Sequence, residues 1–158
     1  MGTETTERQK LLEKLNNATR QQSTWTVMFH NAIANQIGLN ITDHKCLDIL
    51  MDRGPLTAGQ LAEATGLTTG AVTGVIDRLE KAGYVQRGND PNDRRRVIVQ
   101  PVLDKAGEEL GPFFEHFRQR YMPLLENYND DELRLVLRFV KDSIVFMQEE
   151  IDWLRKKT

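Results

Sequence analysis

"LTAGQLAEATGLTTGAVTGVIDRLEKAGYVQRGNDPNDRRRVIVQP", residues 56–101, changes its hydrophobic period once, at Gly83. Before Gly83 the apolar residues recur every three or four positions, and after it they alternate, so helices give way to strands. Thr57 with Gln60 has the spacing of a capping box, which opens a short helix from Ala58 to Ala64. Gly66 gives the turn, and Thr68 or Thr69 starts a second helix that ends at Gly83. Tyr84 to Arg87 and Arg96 to Gln100 each suit a strand, with Gly88 to Asp93 as the turn region and Pro101 as the stop. Helix, turn, helix and hairpin in that order make a winged helix-turn-helix.

The second helix of this run has two unlike faces. At 100° per residue Val72, Val75, Ile76, Leu79 and Ala82 share one side, which must pack inward. The opposite side carries Gly70, Thr73, Gly74, Asp77 and Lys81. Two glycines inside a helix cost about 1 kcal/mol each relative to alanine. A surface that must come very close to a partner gives a reason for both. Thr68, Thr69 and Thr73 add hydroxyls suited to phosphates or base edges.

The three consecutive arginines of the hairpin, Arg94, Arg95 and Arg96, repel one another unless something anionic lies opposite. Overall charge hides this. Residues 1–52 carry five Lys/Arg against six Asp/Glu, giving −1; residues 53–101 carry seven against five, giving +2. Residues 102–158 carry nine against twelve, giving −3. The middle third alone is positive, a small basic footprint on an acidic scaffold. A narrow minor groove concentrates negative potential and favours inserted arginine. Asp90 and Asp93 are expected to hold the guanidinium planes through bidentate pairs. An ordinary solvated hairpin and a module docking an acidic protein are the competing readings.

The flanks are helical. Residues 6–36 read as one long helix, with Leu11, Leu15, Ala18, Trp25, Phe29 and Ala32 recurring at three- and four-residue steps. A helix from Thr42 to Asp52 follows, with Leu47, Leu50 and Met51 on one face. After the hairpin, Asp104 is expected to cap a helix to about Asn127, with a bend at Gly111-Pro112. Asn129 with Glu132 forms another capping box and opens a last helix towards Arg155-Lys156-Lys157. Its residues Leu133, Val136 or Leu137, Val140, Ile144, Met147, Ile151 and Leu154 make a heptad seam. A helix of about 25 residues reaches nearly 40 Å, longer than a domain of this size covers. Residues 6–36 and 104–157 are therefore read as a dimerisation layer, and 42–101 as the winged helix-turn-helix. A self-contained bundle is the alternative.

Composition agrees with a globular protein: 39% hydrophobic and 28% charged residues in 158. No apolar run approaches the ~20 residues of a membrane helix, and MGTETTERQK lacks the apolar region of a signal peptide. A cytoplasmic home is the expectation. The single Cys46 forms no internal disulfide.

The quoted stretch, above all the GLTxxxVTxxxDRLExAGYV run and the DPNDRR wing, resembles the MarR family of winged-helix transcription regulators. DHKCLDIL (43–50) and the helical ends fit the same family, so the resemblance spans nearly the whole chain. It implies a triangular homodimer with intertwined N- and C-terminal helices. It also implies binding to a pseudo-palindromic DNA operator, most often as a repressor, with release by a small, often phenolic or anionic, molecule. The wing arginine of the family's D-R motif maps onto Arg94, with Asp93 as its partner. The recognition helix maps onto Thr68 to Lys81 and so brings Arg78 into the DNA-contacting set. Two half-sites should lie about one helical turn, ~10 bp, apart. An effector pocket between the dimer layer and the DNA-binding part would be lined by Trp25, Phe29, His30 and Met51.

Other chemistry finds no anchor. There is no HExxH, GxSxG, GxGxxG or phosphate-loop sequence, so no enzyme and no cofactor is expected. His30, His44 and His116 lack helical pairing with one another, and the chain departs from the His-rich pattern of zinc-sensing relatives, so no metal is expected. Peroxide-sensing relatives carry their cysteine in the first helix, where this chain has none. Cys46 is read as buried core, with a thiol redox switch as the alternative.

Overall fold

The structure is a computed structural model that describes residues 6–91, 93 and 95–157. In chain order the elements are α1 (Glu7–Gln36), α2 (Ile41–Arg53), β1 (Leu56–Thr57), α3 (Ala58–Thr65), α4 (Thr69–Lys81), β2 (Val85–Asn89), β3 (Val97–Pro101), α5 (Leu103–Leu125) and α6 (Asp130–Arg155). They divide into two compact units, residues 1–113 and 114–158.

The first unit is built around α4. Val72, Val75, Ile76 and Leu79 are buried, as their spacing requires, and Leu47 and Leu50 of α2, Leu61 of α3 and Val99 of β3 share the same core. Ala82, expected inward, is instead the exposed C-cap of α4. Local chemistry sets the helix starts. Thr57 and Gln60 form a reciprocal capping box at α3, and Thr68 accepts the Ala71 backbone N–H at α4. Between them Gly66 adopts the left-handed conformation (φ 74°) that closes the turn without a Cβ penalty.

The sheet has three antiparallel strands in the order β1-β3-β2. β1 was not expected. Thr57 is extended because it is an N-cap, and that same backbone pairs Thr57 with Ile98 and Leu56 with Val99. The hairpin also differs from the expected boundaries. β2 continues through Gly88 and Asn89, which pair with Ile98 and Val97, so the turn moves forward to 90–96. Asp90 N–H donates to the Arg96 carbonyl at 2.9 Å and closes it. Arg95 and Arg96 therefore belong to the loop, with Arg96 ahead of the strand it was expected to start.

Tyr84, at the helix-to-strand switch, is buried and joins three elements. Its hydroxyl donates to Glu109 Oε2 of α5 and lies 3.4 Å from the Ile37 carbonyl at the end of α1. Lys105 pairs with Glu109 at 2.8 Å and sits over the Tyr84 ring. Burial, then the Glu109 hydrogen bond, raises the Tyr84 hydroxyl above the ordinary tyrosine range, so it stays a donor.

The long helices follow their expected positions with changed detail. Asp104 lies inside the first turn of α5, which starts at Leu103, rather than capping it. α5 continues through Gly111-Pro112, and the division between the units falls just beyond, at Phe113. Asn129 and Glu132 form the expected capping box of α6. α1 contributes to the core through Ile33 and Ala34, whereas Leu11, Leu15 and Trp25 of its expected apolar line are exposed. In the second unit no described residue of α6 is buried, and Val136, Val140, Ile144, Met147, Ile151 and Leu154 of the seam are all open to solvent.

Candidate nucleic-acid interface

Packing within the chain does not account for the smooth outer face of α4. A Cβ built on Gly70 meets nothing within 4 Å, and one on Gly74 meets only Arg78 Nη1 at 3.4 Å. Internal packing therefore does not require either glycine, although each weakens the helix. Thr68, Thr69 and Thr73 are exposed beside them. Two of the hydroxyls are partly engaged. Thr68 Oγ1 accepts from Ala71 at 3.2 Å, and Thr73 Oγ1 donates to the Thr69 carbonyl at 2.9 Å. Thr68 keeps its donor and Thr73 its acceptor capacity for a partner.

Charge on this face is organised by residues from other elements. Asp77, read from the sequence as part of the contact face, pairs with Arg87 of β2: Nη2 donates to Asp77 Oδ1 at 2.5 Å. Arg87 Nη1 donates to Glu80 Oε2, and its backbone N–H donates to Glu80 Oε1 at 3.1 Å. One arginine thus offsets both acidic residues of the helix and fastens β2 to it. Hydrogen bonding to Asp77 is the main cause of the raised Arg87 basicity. Lys81 remains exposed at the end of the helix.

Arg78 makes a bidentate pair across elements. Its Nε donates to Asp43 Oδ2 at 2.8 Å and its Nη2 to Asp43 Oδ1 at 2.6 Å. Asp43, on the first turn of α2, is buried, whereas the Arg78 side chain is 53% exposed. Asn40 completes the arrangement: its Nδ2 donates to Asp43 Oδ2 at 2.8 Å, and its Oδ1 accepts the Asp43 backbone N–H at 2.9 Å.

In the wing, Arg94 lies outside the described residues. Arg95 and Arg96 are exposed. Asp93 Oδ1 accepts the Arg95 backbone N–H at 3.0 Å, a turn contact, and its expected pairing with Arg94 lies outside the described residues. Asp90 Oδ2 stands 3.9 Å from Arg96 Nη1, at the long limit of an ion pair.

Family-model comparison matches the MarR family over residues 39–97. The chain is 45% identical over 137 residues to the HTH-type transcriptional regulator YcgE of Bacillus subtilis, covering 87% of this chain and 88% of that one. The chain belongs to the MarR family. It is a DNA-binding transcriptional regulator of winged helix-turn-helix fold. The fold also matches a MarR family protein from Bacillus stearothermophilus, with TM-score 0.67 and 22% identity over 88% of this chain and 96% of that one. Wild-type MarR from E. coli in its apo form matches with TM-score 0.59 and 21% identity, over 82% and 95%.

Of the four residues expected to line a MarR-type effector pocket, Phe29 and His30 are half-buried and in edge contact, with ring centroids 5.8 Å apart. His44 of α2 joins them, 5.5 Å from the His30 ring, a partnership that sequence spacing concealed. His30 Nδ1 and His44 Nδ1 are both buried with no hydrogen-bond partner among the described residues. Burial, then the neighbouring His30, pushes His44 below the ordinary histidine range. Trp25 is 69% exposed and Met51 38% exposed.

Cys46 is buried, and burial, followed by the neighbouring Asp43, pushes its thiol up to about 11. A thiol so protonated is a poor nucleophile. It forms part of the wall of a cleft of about 370 Å³ with Ile41, Lys45, Ile49, Thr65 and Leu67. Among the described residues no group of three or more His, Cys, Asp or Glu side chains could hold a metal ion, and no helix is long and apolar enough to cross a membrane.

Proposed function

We propose that this regulator binds a pseudo-palindromic operator as a homodimer and acts as a repressor relieved by a small phenolic or anionic molecule. The α4 helix enters the major groove from Thr68 onward, and the wing arginines Arg94, Arg95 and Arg96 lie in or beside the minor groove. The observation that carries this reading is the pair Gly70 and Gly74. Both weaken α4, neither is required by internal packing, and both sit on its outer face. Close approach of a groove explains them together.

The homodimer is supported by α6, whose apolar seam is exposed along its length. Its natural cover is the same seam of a second copy. The effector reading is supported by Phe29, His30 and His44, an aromatic and imidazole cluster between α1 and α2 with buried polar atoms awaiting a partner. A redox switch at Cys46 is disfavoured by its burial and its protonated thiol.

Selection of bound sites from a random duplex pool tests the core of the proposal. A palindrome with half-sites about 10 bp apart is expected. No enriched palindrome would overturn it. A thermal-shift screen of phenolic and carboxylate compounds, repeated in the presence of the enriched duplex, then tests relief.

A further inference from the structure

We propose that Arg78 donates to a backbone phosphate of the bound DNA, and that Asp43, on α2, is the positioning residue that aims it. The inference rests on the reading that the outer face of α4 meets DNA. Its own evidence is the geometry of the pair. An arginine on an exposed helix face loses considerable rotamer entropy when it is fixed by a partner. Here the fixing is done before any partner arrives. Asp43 cannot follow the guanidinium about, because it is buried, stands on the first turn of α2 and is tied to Asn40 through both its side chain and its backbone N–H. It grips the Nε and Nη2 edge of Arg78 at 2.8 and 2.6 Å. The Nη1 donors have no partner among the described residues, and the side chain is half exposed.

The exposed edge is aimed along the contact face. Arg78 follows Gly74 by one helical turn, and its Nη1 lies 3.4 Å from the position a Cβ of residue 74 would take. The guanidinium therefore occupies space that glycine leaves open on the outer face. Of the pair only the carboxylate is buried, which leaves the outer edge of the guanidinium open to a further acceptor. A simple surface cation would gain nothing from a carboxylate beside it, which weakens its long-range attraction to DNA. The combination suits a directional donor held in register. Arg78 is on the flank of the face, beyond Gly70, Thr73 and Gly74, where a groove wall and its phosphates would stand.

The pair makes a prediction opposite in sign to bulk electrostatics. Asp43→Asn removes a negative charge near DNA, so simple attraction calls for tighter binding. Loss of aim calls for weaker binding. The probes are the duplex enriched by the wild-type protein and a scrambled duplex of the same composition. With Asp43→Asn, affinity for the enriched duplex should fall about tenfold or more, and affinity for the scrambled duplex, which offers the same phosphates, should fall in the same direction. Arg78→Ala should show the same loss and flatten the salt dependence of log affinity by roughly two units for a dimer. Should either variant fail to fold, Asp43→Asn combined with Arg78→Gln replaces the ion pair by an amide pair that preserves the brace. That double variant should melt near wild type and still lose DNA affinity.

Wild-type or tighter binding by Asp43→Asn, a wild-type salt slope for Arg78→Ala, or wild-type affinity in the amide pair would each overturn the proposal. Gly74→Leu serves as the control for the underlying reading. If Gly74→Leu abolishes binding while the Arg78 variants do not, the inference alone fails. If Gly74→Leu also binds normally, the face itself is misassigned.

Discussion

Substitution of Gly74 by leucine should move folding stability and DNA binding in opposite directions. The new Cβ has room, since its nearest neighbour, Arg78 Nη1, is 3.4 Å away. Leucine is the better helix former by somewhat under 1 kcal/mol, so the melting temperature should hold or rise. Beyond Cβ the side chain projects from the face that α4 offers to the groove. Overpacking of a close-fitting contact costs about 1–3 kcal/mol per site, hence roughly 2–6 kcal/mol for two half-sites, a thirtyfold loss of affinity or more. Gly74→Ala should stabilise the helix at least as much and cost less DNA affinity. Circular-dichroism melting and fluorescence anisotropy on the enriched duplex measure the two quantities on one preparation. A destabilised variant whose DNA loss tracks its unfolding would refute the reasoning, and so would a stable variant with unchanged affinity.

Three further outcomes follow from other parts of the chain. Arg94→Ala should weaken binding to enriched and scrambled duplexes alike and flatten the salt slope by roughly two units per dimer; an unchanged slope would return the wing to the status of a solvated hairpin. Ile144→Glu places a carboxylate on the exposed α6 seam, which should cost several kcal/mol if a second copy covers it. Sedimentation should then show monomer, whereas a folded dimer would put the contact elsewhere. His44 has a depressed pKa, so the native state takes up fewer protons than the unfolded chain as pH falls below the ordinary histidine value of about 6.5. Its stabilising contribution is present above that value and lost as pH falls through the lower, folded one. The melting temperature should therefore decline as pH falls below about 6.5, and His44→Gln should flatten the decline; an equal decline in both proteins would exclude His44 as its source.

The features legible along the chain are local or periodic. Thr57 with Gln60 and Asn129 with Glu132 are capping pairs three residues apart, and Val72, Val75, Ile76 and Leu79 mark a buried stripe by spacing alone. The switch to strands after Gly83 and the glycine face of α4 were legible for the same reason: each depends on residues within a few helical turns. Which distant side chains meet is a matter of packing. Asp43 and Arg78 are 35 positions apart, His30 and His44 lie on different helices, and Arg87 reaches back from a strand to Asp77 and Glu80. No spacing rule links such pairs, because their separation is set by how α1, α2, α4 and β2 pack. β1 escaped notice on similar grounds, for two extended residues become a strand only when β3 lies alongside. The wing turn shifted because backbone pairing carried β2 through Gly88 and Asn89, a preference of the ladder as a whole that the residues themselves do not announce.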